Sequence, residues 1–281
     1  MDFIRDWVEN SPYAQSLGVK LTSLSETGAA FLLPFNERNA NPGGALHGGV
    51  YASLSSIGGH AVARAALGPD SGPWHTMGFQ INYLAAAINE DVIGEAKLLR
   101  KGKELCFVEV TTHTKDGKPT GHAALAMRGR MGLAPAKMVK CPVDAGGAEV
   151  SPMGKMMGGV SFIAARGLKA EQMAESRARM VMPDIEANRD LKGGHHEGAV
   201  LALLDTCGAM AAWAETGPGP YKASTASIQA QLQKPQPAGD LVAYAHVVNR
   251  DNEIFWSHVD VAERQSGDLV AQGTVLYRIV R

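Results

Sequence analysis

The second half of this chain repeats the first at a constant spacing of 149 residues, and this repeat restricts the possible folds more than any other feature. Identical residues recur at that spacing without a gap, for example Gly44 and Gly193, His47 and His196, Leu54 and Leu203, Thr76 and Thr225, Gln80 and Gln229, and Asp91 and Asp240. Self-similarity of this kind indicates two copies of one folding unit. We therefore predict one domain at 1–130, a linker rich in Gly, Pro, Ala and Met at 131–155, and a second domain at 156–281.

Each copy has the same order of predicted elements. In the first copy, a glycine-rich turn at 41–49 leads into small and apolar residues at 48–66, which indicates a loop followed by a long buried helix. Strand patterns follow at 77–84, 92–100, 105–114 and 121–130. The second copy has a predicted helix at 197–215 and strands near 226–234, 241–250 and 254–264, with a last strand to 279. One long helix beside consecutive antiparallel strands is an α+β arrangement.

The start of the first long helix is a candidate binding site for a ligand oxygen. The first amides of a helix, here those of Gly48 and Gly49, have no intrahelical acceptor, and the helix dipole favours negative charge in front of them. Neither residue has a side chain that would block the approach. A carbonyl oxygen of a ligand can therefore reach this position.

Composition argues against several classes of protein. The net charge is −1 and Lys and Arg form no run, so no nucleic-acid partner is expected. The three cysteines lack the spacing of a disulfide framework or a zinc site, and the histidines lack the spacing of metal ligands, so we expect no metal. No other cofactor is expected. The N-terminus is acidic where a signal peptide would be basic, and no apolar run has the length of a membrane span. A cytoplasmic protein with no membrane association is therefore expected.

The order of elements, with His-Gly-Gly opening one long helix, resembles the hotdog fold, in which an antiparallel sheet wraps around a central helix. The motif is similar to that of acyl-CoA thioesterases of the 4-hydroxybenzoyl-CoA and phenylacetate-pathway type. In that family an Asn precedes His-Gly-Gly, an acidic residue follows on the helix, and a small hydroxyl residue begins the next strand. The resemblance implies two tandem hotdog domains related by a pseudo-two-fold axis. It also implies hydrolysis of an acyl-CoA thioester to CoA and a carboxylic acid.

The family pairs hotdog units with antiparallel helices, so the resemblance implies two unequal sites between the copies. The first site would combine Asn41, His47 and Gly48 with Asp205 and Thr225, and it contains every group of the motif. Gly48 would hold the thioester carbonyl, and Asp205 would act as general base or as nucleophile. Thr225 would orient a water molecule, while Asn41 and His47 would fix the loop and the carbonyl. The apolar neighbours of Asp205 on its helix are expected to raise its pKa.

The second site would be degenerate. It would be formed by Ser56, Thr76, Asp190, His196 and Glu197. Ser56 stands where the acid should be, and Glu197 replaces the first glycine. Negative charge beside a developing oxyanion opposes its formation, so this site is expected to be inactive.

Further residues are implied by the resemblance to contact the substrate. Gly49 adds a second amide at the helix start, and Arg100, Lys101 and Arg250 lie at the strand turns where relatives bind CoA phosphates. CoA would enter as part of the substrate and not as a cofactor. Because the edges and faces of such a sheet usually pair further, a homodimer of chains is also expected.

Two other functions stay open at this stage. Hydratases and dehydratases of the MaoC type also use tandem hotdogs, and Asp190 and His195 have the spacing of their catalytic pair. The rest of that motif is missing, and Asp205 would have no role in it. A non-catalytic protein that binds acyl-CoA is the other alternative, because one of the two copies lacks the acid. The sequence does not identify the acyl group.

Overall fold

The computed structural model describes residues 1–129, 138–142, 147 and 149–280. Residues 131–137, 143–146 and 148 of the predicted linker at 131–155, and the predicted end of the first domain at residue 130, lie outside the described residues. The last part of the predicted linker belongs to a short helix that begins at Pro152.

The first copy follows the predicted order. Its helices are α1 (Asp2–Asn10), α2 (Pro12–Leu17) and α3 (Gly48–Leu67). Its strands are β1 (Lys20–Leu24), β2 (Gly28–Leu33), β3 (His75–Tyr83), β4 (Val92–Lys101), β5 (Leu105–Thr114) and β6 (Pro119–Arg128). The long helix α3 comes directly after the glycine-rich turn, as predicted.

The second copy repeats this order. Its helices are α4 (Pro152–Met156), α5 (Ser161–Arg166) and α6 (Glu197–Thr216). Its strands are β7 (Lys169–Ala174), β8 (Arg177–Met182), β9 (Lys222–Leu232), β10 (Leu241–Arg250), β11 (Ile254–Glu263) and β12 (Leu269–Val280). Strand β9 begins earlier than predicted because its first residues pair with the end of β12, where Lys222 lies opposite Val280.

The strands of the described residues form one sheet in the order β1-β2-β4-β5-β6-β3-β9-β12-β11-β10-β8-β7. When the two copies are exchanged, the order reads the same from either edge. The copies meet at the centre, where β3 pairs antiparallel with β9 and Gln80 lies opposite Gln229. These glutamines are equivalent in the repeat, so a pseudo-two-fold axis passes between them. The α+β prediction is confirmed.

The two long helices pack against each other through small residues. A Cβ built on Gly49 would lie 2.8 Å from the Cβ of Ala202, and one built on Gly198 would lie 2.9 Å from the Cβ of Ser53. The Ser53 hydroxyl also donates to the Gly198 carbonyl at 3.0 Å. This close antiparallel contact places the start of each helix beside the first half of the other. Among the described helices, none is both long and apolar enough to cross a membrane.

The sheet of the first copy closes tightly over the ring of Phe31. A Cβ built on Gly94 in β4 would lie 1.9 Å from that ring, which is itself buried in the core. We expect Gly94→Ala to lower the free energy of unfolding by about 1–3 kcal/mol, because a packed core does not absorb an added methyl group without strain. Urea denaturation measures this loss.

Gly78 provides the matched control. It also lies within a strand, but a Cβ built on it meets its nearest neighbour, the Ala126 Cβ, at an ordinary 3.7 Å. Gly78→Ala is expected to change the free energy of unfolding by less than about 0.5 kcal/mol. Equal losses in the two variants would contradict the packing argument.

Candidate active site between the two repeats

His47 holds the start of α3. Its Nδ1 accepts a hydrogen bond from the Gly49 N–H at 3.0 Å, so the ring proton of the neutral imidazole is on Nε2. Burial lowers the pKa of His47 to about 4, so the ring is neutral near pH 7. The ring stacks on Phe162 of the other copy, with 4.4 Å between centroids. The Gly48 N–H, as the first amide of α3, has no intrahelical acceptor.

Asp205 lies on α6 and faces Gly48 across the helix pair. A Cβ built on Gly48 would lie 2.6 Å from the Oδ2 atom of Asp205, so only glycine leaves room for the carboxylate. The Thr225 hydroxyl donates to Oδ1 at 2.7 Å, and Oδ2 lies 4.0 Å from Nδ1 of His47. The structure therefore brings together four of the residues predicted for the first site, two from each copy.

Burial dominates the electrostatics of Asp205, which is only 2% exposed. Removal from water raises its pKa to about 6, although the Thr225 hydroxyl and the Gly49 N–H act in the opposite direction. Near neutral pH the carboxylate is therefore mostly ionised, and it is more basic than an exposed aspartate. Such a group is suited to accept a proton from water.

A cavity of about 570 Å³ lies against this carboxylate. Asn41 lines it, and the Asn41 N–H donates to the Ala45 carbonyl at 2.8 Å, which fixes the turn before α3. Much of the remaining wall is apolar or aromatic, including Met153, Met210 and Trp213, and no Lys or Arg of the described residues lines it. A cavity of about 630 Å³ on the outer face of the sheet has no carboxylate among its described lining residues, so it is not a comparable candidate for hydrolysis.

Tyr83 is a residue of this site that the sequence analysis missed. It lines the cavity, and its hydroxyl donates to the Gly48 carbonyl at 3.1 Å. Burial and the nearby Asp205 raise its pKa well above 10, so it stays protonated. The repeat carries a signal for it, because the equivalent position of the second copy is Leu232. This difference alone does not single out the tyrosine, because the two copies differ at most positions.

At the position equivalent to Gly48, the second copy has Glu197, whose carboxylate is bonded within the protein. Its Oε1 lies 2.6 Å from Nε2 of His60 and accepts from the Thr76 N–H at 3.1 Å. Burial alone would raise the pKa of Glu197, but these two partners hold it at about 2. Ser56, which replaces the acid, is completely buried.

Other side chains fill the rest of the second site. The Trp7 indole, from α1, donates to Oδ1 of Asp190 at 2.8 Å and stacks on His196, with 5.3 Å between the ring centroids. The Arg64 guanidinium carbon lies 3.7 Å from the centre of the Trp7 ring. His196 caps α6 as His47 caps α3, by accepting from the Gly198 N–H at 2.9 Å. Four of the five predicted residues, Thr76, Asp190, His196 and Glu197, therefore belong to one buried and internally bonded cluster, whereas the Ser56 hydroxyl has no hydrogen-bond partner among the described residues.

The structure does not bring together the four residues predicted to contact the substrate. Arg250 forms an ion pair with Glu215 at the end of α6, the helix that carries Asp205. Arg100 and Lys101 lie at the equivalent turn of the other copy, and none of the three lines the cavity. The resemblance implies a shared contact, whereas Arg250 lies beside the end of the long helix of its own copy. Gly49 packs against Ala202 and also does not line the cavity.

The residues proposed for a hydratase have other partners. The Asp190 carboxylate accepts from the Trp7 indole, and Nε2 of His195 lies 2.7 Å from the Gly239 carbonyl oxygen. Within the described part of the chain, no group of three or more His, Cys, Asp or Glu side chains is arranged to hold a metal ion.

Comparisons with known proteins agree with the geometry. Residues 43–120 match the Thioesterase superfamily. A protein of Saccharolobus solfataricus named "Putative esterase" is 32% identical over 102 residues, which span 36% of this chain and 71% of that protein. One of the same name from Halobacterium salinarum is 29% identical over 125 residues, spanning 42% of this chain and 82% of that one.

Solved structures match the whole chain. A conserved protein of unknown function with the hotdog fold from Alicyclobacillus acidocaldarius superimposes with a TM-score of 0.65 at 16% identity over 97% of both chains. The tesB protein of Mycobacterium avium subs paratuberculosis gives 0.66 at 15% identity, over 95% of this chain and 97% of that one. At such low identity these matches establish the fold, which is two tandem hotdog domains. Together with the esterase relatives and the superfamily match, they show that the chain belongs to the thioesterase superfamily.

Proposed function

We propose that this protein hydrolyses acyl-CoA thioesters at a single site formed between its two repeats. The observation that carries the proposal is the placement of the Asp205 carboxylate, from the second copy, directly against Gly48 at the start of α3 in the first copy. A base or nucleophile beside an unpaired helix-start amide is the arrangement that thioester hydrolysis needs. The motif residues also resemble the 4-hydroxybenzoyl-CoA and phenylacetate-pathway type.

In the proposed reaction, the thioester carbonyl oxygen accepts a hydrogen bond from the Gly48 N–H. Asp205 either takes a proton from a water molecule that attacks the carbonyl carbon, or attacks this carbon itself to form an anhydride that water then hydrolyses. In both routes the carbon–sulfur bond breaks, and CoA leaves as a thiolate that is protonated to the thiol. The positive end of the helix dipole stabilises the oxyanion in the tetrahedral intermediate.

The other residues of the first site have supporting roles in this proposal. Thr225 donates to Asp205 and fixes the orientation of its carboxylate. Neutral His47 caps α3 and adds no positive charge that would lower the basicity of Asp205. Asn41 lines the cavity, where its amide would bind the substrate carbonyl or the attacking water. The reaction needs only water besides the CoA ester.

The second site is proposed to be inactive. It has Ser56 in place of an acid, and its helix start carries the Glu197 carboxylate where an oxyanion would form. Of the predicted CoA contacts, only Arg250 belongs to the copy whose helix carries Asp205, and we propose it as the phosphate contact. A homodimer of chains in the cytoplasm remains our proposal for the assembled protein, and its mass in solution would test the oligomeric state.

The proposal is tested by measuring thiol release from a panel of short, long and aromatic acyl-CoA esters beside an enoyl-CoA hydration assay. Thiol release with at least one ester class, and no hydration, is expected. Hydration without thiol release would favour the MaoC-type reaction. Tight binding of CoA esters with neither reaction would favour a non-catalytic acyl-CoA-binding protein.

The pKa of Asp205 predicts the pH dependence of turnover. The carboxylate must be ionised to act as base or nucleophile, and its pKa in the folded protein is raised to about 6. Activity is therefore expected to be constant above pH 7 and to fall about tenfold for each unit of pH below 6. The pH profile of kcat/KM measures this limb. A limb near pH 4, the usual range of an exposed aspartate, would contradict the assigned environment.

A further inference from the structure

We propose that Tyr83 is a positioning residue that holds the Gly48–Gly49 peptide in its catalytic orientation. This inference rests on the proposed thioesterase function. The Tyr83 hydroxyl donates to the Gly48 carbonyl at 3.1 Å, and the N–H at the other end of the same peptide bond, on Gly49, donates to Nδ1 of His47 at 3.0 Å. The peptide is thus held at both of its polar ends.

A difference between the two copies explains why the first needs the Tyr83 hydroxyl and the second does not. In the second copy, Glu197 begins the helix and is fixed by its own side chain through His60 and Thr76. In the first copy, Gly48 has no side chain, because the Asp205 carboxylate occupies that space. A glycine has more backbone freedom than any other residue, so its orientation must be fixed from outside. The residue equivalent to Tyr83 in the second copy is Leu232, which has no hydroxyl.

The tyrosine is itself well anchored. Its ring meets that of Tyr51 edge to face, with 6.0 Å between centroids and 87° between planes. The Tyr51 hydroxyl accepts from the Ala87 N–H at 3.0 Å, which ties this pair to the loop after β3. Burial and the charge of Asp205 keep the Tyr83 hydroxyl protonated and able to donate at any pH where the protein is active.

The orientation of this peptide matters for two groups of the site. A change in the ψ angle of Gly48 would alter the angle between this peptide and the preceding one, whose Gly48 N–H is the proposed oxyanion donor. It would also move the Gly49 N–H, which acts to lower the pKa of Asp205. Tyr83 therefore acts on the reaction through the backbone, without a need to touch the substrate.

Tyr83→Phe tests this role, because it removes the hydroxyl and keeps the ring. We expect kcat to fall about five- to tenfold, the effect of one lost hydrogen bond, while KM changes by less than about twofold. The acidic limb of the pH profile should move to higher pH, because a displaced Gly49 N–H no longer lowers the pKa of Asp205. Tyr83→Leu, which copies the second repeat, should lose at least as much activity.

Tyr13→Phe is the matched control. Tyr13 is also buried, its hydroxyl lies 2.7 Å from that of Ser53, and the equivalent residue of the second copy is Phe162. Its variant should lose similar stability but keep kcat and the pH limb. Equal kinetic losses in both variants, or unchanged kinetics in Tyr83→Phe, would overturn the proposal.

Amide hydrogen exchange tests the same role without turnover. In Tyr83→Phe, the Gly49 amide should exchange several-fold faster, while the equivalent Gly198 amide keeps its rate. An unchanged rate at Gly49 would overturn the positioning role even in a protein that hydrolyses no thioester. Wild-type protein without thioesterase activity would instead refute the proposed function.

Discussion

Replacing Asp205 with Asn is expected to lower kcat/KM for CoA thioesters about a thousandfold, because an amide neither accepts a proton from water nor attacks a carbonyl carbon. The Thr225 hydroxyl still has an oxygen to which it can donate, so the site keeps its shape. Binding of the substrate should therefore change little, and the loss should appear in kcat. Steady-state thiol release measures both parameters.

The same substitution is expected to stabilise the protein at alkaline pH. The folded state holds Asp205 with a pKa near 6, above its value in the unfolded chain, so ionisation of this buried group costs folding free energy. The cost is absent below the unfolded pKa, grows as the pH rises through the folded pKa, and reaches at most about 3 kcal/mol. Asp205→Asn should be more stable than the wild type at pH 8, and the difference should close near pH 4 in urea denaturation.

Ser56→Ala is the control for this experiment. Ser56 occupies the equivalent position on α3, and its hydroxyl is buried with no hydrogen-bond partner among the described residues. Its removal should leave turnover within about twofold of the wild type. Equal losses from Asp205→Asn and Ser56→Ala would refute the proposal of one active site.

The helices and strands could be predicted from the sequence because each depends on a local pattern of residues. The run at 48–66 has no proline and Gly68 follows it closely, and α3 spans Gly48–Leu67 with Gly68 as its C-cap. Because the chain is a repeat, each element predicted in the first copy is also predicted at the equivalent position of the second. The pairing of Gln80 with Gln229 at the centre of the sheet was not accessible, because it depends on how two complete domains associate and not on any local pattern.

The same limit applies to the candidate site. The grouping of Gly48 with Asp205 followed from a family resemblance, since residues so far apart in the chain have no local signal. Trp7 and Asp190, which are bonded in the structure, are also far apart in the sequence, and no motif indicated that α1 fills the second site. Nor did the sequence show that Glu197 and His60 are partners. The sequence places two carboxylates at this helix start, and the structure gives each its own partner, the Trp7 indole for Asp190 and His60 for Glu197.

These contacts suggest how the two copies have come to differ. In the first, the helix start is bare and faces a carboxylate whose burial costs free energy. In the second, the helix start carries a carboxylate that is bonded to His60, and the Asp190 carboxylate is bonded to the Trp7 indole, over which the Arg64 guanidinium lies. A site that needs an unpaired base reduces stability, and a closed cluster of partners adds to it. On the proposed function, one copy of the motif would serve the reaction, while the other stabilises the fold.

Substitution of Gly48 by Ala is expected to lower kcat at least about a hundredfold, because a displacement of about 1 Å at a reacting group has an effect of that size. The new Cβ would lie 2.6 Å from Oδ2 of Asp205 and 3.3 Å from the Thr225 hydroxyl, so the carboxylate must move away from the helix start. Stability should change by less than about 1 kcal/mol, because Ala favours a helix more than Gly does. Steady-state kinetics and urea denaturation of the same preparation measure both effects.

Glu197→Gln, at the equivalent residue of the other copy, is expected to lower stability and to leave kcat nearly unchanged, the opposite of Gly48→Ala. Loss of the Glu197 charge should cost about 3 kcal/mol of stability, because a neutral amide weakens the buried charge-assisted hydrogen bonds to His60 and the Thr76 N–H, while turnover stays within about twofold of the wild type. The loss should be complete above pH 5 and shrink as the pH falls towards 2, the folded pKa of Glu197. A Glu197→Gln protein that loses turnover as Gly48→Ala does would mean that both helix starts take part in the reaction, which would refute the single-site proposal.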